Sequence, residues 1–144
     1  MPRSRRTRIL VLGPAELRRG WANAIRALHR WQVLEPPRAG LVMTLVRESA
    51  RRSVFPLGEV LVTEAKVRVE GASGLGVVRG WDEAGAEDLA IIDASCRADL
   101  AVNLPWWEKL VAAEAQMESD RAVERTILET TRVDFQTMDQ EART

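Results

Sequence analysis

The sequence predicts an α+β domain: N-terminal helices, a mainly antiparallel sheet running as a meander over about residues 32–79, two or three C-terminal helices, and a short closing strand. Three observations predict it. From Leu61 the residues alternate, with Leu61, Thr63, Ala65, Val67 and Val69 on one face and Glu64, Lys66, Arg68 and Glu70 on the other, the period of a strand with one buried side. The apolar runs of this region are joined by short connections, which favour antiparallel neighbours. At Trp81 the period changes from that of a strand to that of a helix and stays so to about Thr131.

The elements follow in order. Arg3–Leu12 fits either a first strand or a short helix closed by Gly13, because a short apolar run does not discriminate by period. In Pro14–Trp31 the residues Leu17, Trp21, Ile25 and Leu28 recur at helical spacing, with arginines opposite. Gln32–Glu35 reads as a strand stopped by Pro36-Pro37. Gly40–Arg47 is apolar on both faces and so reads as a central strand. Glu48–Ser53 is a hairpin-like loop, and Val54–Glu70 is the long strand, with turn signals at Pro56-Leu57-Gly58 and Gly71-Ala72-Ser73-Gly74. Leu75–Val78 is the next strand. Asp82 is placed to cap a helix from about Glu83 to Val102, with the stripe Leu89, Ile92, Cys96 and Leu100. Asn103-Leu104-Pro105 restarts the chain into a long acidic helical region, in which Thr126-x-x-Glu129 is a possible capping-box break. Val133–Thr137 reads as a strand in need of a sheet edge, in this chain or a partner.

At 144 residues one domain over 1–144 is expected, with 1–7 and 139–144 fraying. The 21 basic and 21 acidic residues cancel, which argues against a general nucleic-acid binder. The charge is polarised, however: Met1–Arg30 holds eight arginines against Glu16 alone, and Asp82–Asp120 holds ten acids against Arg97 and Lys109. Such segments face water, each other, or an oppositely charged partner. One cysteine excludes an intrachain disulfide and a cysteine-built cluster. The apolar run after Arg5-Arg6 is too short for an export signal, and no run is long enough to span a bilayer. The expected compartment is the cytoplasm, with no membrane contact and no metal site.

Candidate chemistry is sparse. Gly71, Gly74, Gly76 and Gly80 lack the compact spacing of a phosphate loop and read as turn glycines. Lys66 and Arg68 share the polar strand face and are a candidate anion site; the simpler reading is a solvated charged face. His29 has no nucleophile or carboxylate partner in sequence, and Cys96 falls on an apolar stripe. Trp106-Trp107 reads as either an interface anchor or core. Arg132 and Asp134 read as an ion pair or a partner contact. No complete catalytic set is legible, so the catalytic residues are left unassigned.

Four stretches taken together resemble the PhnG subunit of the bacterial carbon–phosphorus lyase core complex: Pro14-Ala15-Glu16-Leu17; Leu57–Val67; the Gly74–Asp82 segment leading to Ile92-Asp93-Ala94; and Arg132-Val133-Asp134-Phe135-x-Thr137-Met138. Gln136 departs from a usual phenylalanine, and Ala113-Glu114 stands where relatives often carry a proline. The resemblance implies a subunit that works with PhnH, PhnI, PhnJ and PhnL-type partners in phosphonate use. The complex transfers the ribose triphosphate of ATP to methylphosphonate and releases adenine. PhnI is the usual nucleosidase, and the later radical cleavage belongs to PhnJ. ATP is then a substrate of the complex, and this chain carries no cofactor. A homodimer within a larger hetero-oligomer is implied. The residues of this chain themselves suggest where partners would touch it: Trp106, Trp107, Arg132, Val133, Asp134, Phe135, Thr137 and Met138. Readings from other classes are a free-standing nucleotide- or phosphonate-binding enzyme and a homodimeric scaffold.

Overall fold

The computed structural model describes residues 1–131. The helices are α1 (Arg3–Leu12), α2 (Ala15–Leu28), α3 (Glu83–Arg97) and α4 (Leu104–Thr130), and the strands are β1 (Trp31–Arg47), β2 (Val54–Val69) and β3 (Ala72–Arg79). A 3-10 turn at Ala101–Asn103 precedes α4. The strands form one antiparallel meander in the order β1-β2-β3, so the α+β architecture is the one expected. The strand expected at Val133–Thr137 lies outside the described residues.

The core forms where α3 lies across the sheet. Thr63, Ala65, Val67 and Val69 of β2 are buried, as the alternation predicts, whereas Leu61 on the same face is 41% exposed. The helix reaches close to the sheet because β3 presents Gly74 and Gly76 beneath it. A Cβ at Gly76 would strike the backbone of Ala86 and Ala90, and one at Gly74 would strike Ala90 and Ala94. These two glycines therefore serve helix–sheet packing. The turn is made by Glu70 and Gly71, with φ of 45° and 87°, the two positive values of a type I′ hairpin. Asp82 caps α3 as expected, its carboxylate accepting from the Gly85 amide at 2.8 Å.

Arg3–Leu12, which the sequence leaves open between strand and helix, is helical. Several boundaries differ from the sequence reading. The Pro36-Pro37 pair does not stop a strand; register shifts between Val33 and Glu35 and between Glu35 and Arg38 absorb it as bulges. The shift between Thr44 and Leu45 does the same opposite Leu57, so Pro56-Leu57-Gly58 is a bulge inside β2. α3 ends at Arg97, five residues early, where Asp99 takes φ of 50°. α4 runs unbroken through Thr126 and Glu129; the Thr126 hydroxyl bonds back to the Ala122 carbonyl instead of capping a new start.

The largest correction concerns Gly40–Arg47. The run expected at the sheet centre is the distal half of the edge strand β1. β3 pairs with β2 only over Val62–Val69. Beyond that point β1 and β2 continue alone as a two-stranded arm, Leu41–Arg47 against Val54–Leu61, about 20 Å long at strand rise.

Candidate functional site

The polarised charge is largely consumed inside the chain. Five of the eight N-terminal arginines pair with acids of the Asp82–Glu114 region: Arg3 and Arg6 with Asp93, Arg5 with Glu114, Arg18 with Asp82, and Arg26 with Glu87 and Asp88. Asp93 is the centre of this network. Its carboxylate is buried and accepts from Arg3 Nε and Nη2 at 2.8 Å, from Arg6 Nη2 at 2.7 Å, and from the Leu75 amide at 3.2 Å, with Arg97 Nε at 3.3 Å. The carboxylate ties α1 and α3 to an outward N–H of β3. Sequence reasoning missed this centre because its members lie about 90 residues apart and match no motif.

Of the two candidate anion-binding residues, Lys66 is paired across the strands and Arg68 lines a separate cleft. Lys66 Nζ donates to Glu35 at 3.2 Å, and Arg38 donates to Glu64 at 2.7 Å, so the polar strand face is a cross-strand ladder of opposite charges. The Glu64 pairing raises the Arg38 pKa. Arg68 sits at the other end of that face, in a shallow cleft with Arg30, Trp31, Gln32 and Glu70. There the Glu70 carboxylate accepts the Arg30 amide at 3.0 Å, which holds its pKa below the ordinary value, with help from His29, whose Nδ1 is 3.5 Å away. Burial raises the Cys96 thiol pKa, which leaves it a poor nucleophile. Burial likewise raises Asp88, against the opposing pull of Arg26.

Trp106 and Trp107 both pack on the buried Trp21, one stacked at 5.9 Å and one edge-on at 5.4 Å. Trp21 Nε1 donates to Asn103 Oδ1 at 2.9 Å, which also receives the Ser95 hydroxyl. Both rings remain partly exposed, and Trp107 opens onto an apolar strip with Val111, Ala112 and Ala115. The other candidate contacts, Arg132, Val133, Asp134, Phe135, Thr137 and Met138, lie outside the described residues.

Among the described residues, what remains uncovered is the arm. On the face continuous with the core, Leu41 is 63%, Met43 52% and Leu45 61% exposed, and on the other face Val42 is 51% and Phe55 44% exposed. A lone two-stranded ribbon is at best marginally stable in water, and an exposed apolar patch of this kind marks an interaction site. The sequence signal was present in the two apolar faces of Gly40–Arg47; a covered position for them was expected, and within this chain the described residues provide none.

Among the described residues no group of three or more His, Cys, Asp or Glu side chains is placed to hold a metal ion, and no helix is long and apolar enough to cross a membrane. A family model described as "Phosphonate metabolism protein PhnG" matches residues 1–140. No curated protein matches the chain.

Proposed function

The chain belongs to the PhnG family of phosphonate metabolism proteins, and from that premise we propose that it is an accessory, non-catalytic subunit of a carbon–phosphorus lyase complex in the cytoplasm. In this reading it acts with PhnH, PhnI, PhnJ and PhnL-type subunits as part of a multi-protein transferase. The assembly moves the ribose triphosphate of ATP onto methylphosphonate and releases adenine. The chain itself is a homodimer within that hetero-oligomer and is inactive alone. The Trp107 flank and the Arg132–Met138 segment are proposed as further partner contacts.

The observation that carries the reading is the Leu41–Arg47/Val54–Leu61 arm, an apolar element that none of the described residues covers. Burying its leucines on a partner gains roughly 1.5–3 kcal/mol for each side chain removed from water. The test is co-expression with the partner subunits. The wild-type chain should co-elute with them, and adenine should appear from ATP and methylphosphonate only when they are present. Leu41→Ser combined with Leu45→Ser should leave the chain folded and cut co-elution at least tenfold. Adenine release by the chain alone, or full co-elution of the double variant, would contradict the proposal.

A further inference from the structure

The composition of Gly40–Arg47 belongs to the middle of a sheet, yet the strand lies at its edge. The orientation of its backbone follows from one hydrogen bond. The Leu61 carbonyl accepts the Gly80 amide at 2.8 Å, so the backbone groups of Leu61 point toward the β3 side, away from β1. Leu41, the partner of Leu61, is therefore in a non-hydrogen-bonded pair, and its own N–H and C=O point out of the sheet. The same holds for Met43 and Leu45, since the bulge opposite Leu45 inserts its extra residue on β2 and leaves β1 alternating. Leu41, Met43 and Leu45, alternate apolar positions, thus present their backbone donors and acceptors to an edge that is open among the described residues. Such an edge, apolar and without a guarding charge between Gly40 and Val46, is a template for another strand.

We propose that this edge pairs with the same edge of a second copy, antiparallel about a two-fold axis at Met43, making β1 central in a continuous six-stranded sheet. The inference deepens the homodimer within the function proposed above and rests on that reading only for its place in the larger complex. The sequence is self-complementary in this register. Met43 opposes Met43, Leu41 opposes Leu45, and Val42 opposes Thr44, so apolar pairs with apolar at the outward-facing positions. Beyond the apolar run Arg47 opposes Ala39, and Arg38 meets an opposite charge in Glu48, twice by symmetry. Both belong to the polar face of the sheet, and Arg38 is 65% exposed with donors beyond its Glu64 pair. The hydrogen-bonded pairs at 41, 43 and 45 supply about six new backbone bonds. The pairing also brings the Leu41, Met43 and Leu45 faces of two arms side by side, with Glu59 beside each Met43.

Sedimentation of the purified full-length chain at micromolar concentration tests the register. The wild type should be a dimer. Met43→Pro removes an outward donor at an edge position, where proline leaves the β1–β2 ladder intact, and should weaken the dimer at least tenfold while the Val62–Val69 amides keep their exchange protection, which shows the monomer still folded. Arg38→Glu and Glu48→Arg should each weaken it, and the two combined in one chain should restore it. A wild-type chain that stays monomeric to about 100 µM, a condition far above the affinity of specific dimers, would overturn the pairing, as would a charge-swapped chain no tighter than the single variants. The two proposals fail separately. A dimer sensitive to Met43→Pro that never co-elutes with partner subunits would uphold the pairing and sink the assigned function. A wild-type monomer that does co-elute would do the reverse.

Discussion

Asp93→Ala is expected to destabilise the protein by about 3–5 kcal/mol, the cost of removing one member of a buried charge pair. The side chain of Asp93 is 4% exposed and that of Arg6 8%. Without the carboxylate, Arg6 keeps its charge in the interior with no counter-ion, Arg3 loses both of its bonds, and the Leu75 amide loses its acceptor. The effect exceeds that of a surface pair, for which up to about 1 kcal/mol is usual. The exposed Arg5–Glu114 pair supplies the comparison: it is geometrically good, and Arg5 lowers the Glu114 pKa, yet both side chains can be solvated on separation. Urea denaturation of the two alanine variants should show a large loss for Asp93→Ala and a small one for Glu114→Ala. Losses of equal size would show that Asp93 does not hold α1 to the sheet.

Gly76→Ala is the second large effect, expected at about 3 kcal/mol, the upper range for overpacking a well-filled core. The added Cβ would meet the Ala86 carbonyl oxygen and the Ala90 amide nitrogen. Both are helix backbone, so no side chain can rotate away. α3 must lift from β3, and the Thr63–Val69 face beneath it is opened. Gly58 is the control. Nothing lies within 4 Å of a Cβ there, although its φ of 153° makes the substitution mildly strained. Thermal unfolding should place Gly76→Ala well below Gly58→Ala. The reverse order would mean that the α3–β3 approach is softer than its contacts indicate.

The fold was largely legible where one local signal decided the outcome. The Leu61–Glu70 alternation gave β2 its buried face, the Trp21/Ile25 spacing gave α2, and Asp82 gave the start of α3. The sequence reading failed where chain partners decide. Nothing local distinguishes Pro36-Pro37 as a strand stop from the same pair absorbed in bulges. The helix–sheet contact was hidden because it is made of small residues, Ala86, Ala90 and Ala94 over Gly74 and Gly76, which carry little hydrophobic contrast; their matching spacings of four and two were the available clue. The charge asymmetry was read correctly as a feature, but its main use inside the chain depends on long-range pairing. As for the candidate site, the cross-strand partner of Lys66, Glu35, lies on another strand and could not be read from the Lys66/Arg68 face alone. The arm was visible as an apolar run and misplaced at the centre, because a central strand is where one chain ordinarily hides such a run.

The central claim is that this arm is an assembly element, and hydrogen exchange tests it most directly. Backbone amides of residues 41–47 and 54–61 should exchange quickly in a monomeric Met43→Pro chain, more slowly in the wild-type chain, and slowest in the complex with the partner subunits, while the Val62–Val69 amides stay protected throughout. Equal exchange of the arm in the free chain and in the complex would contradict the account.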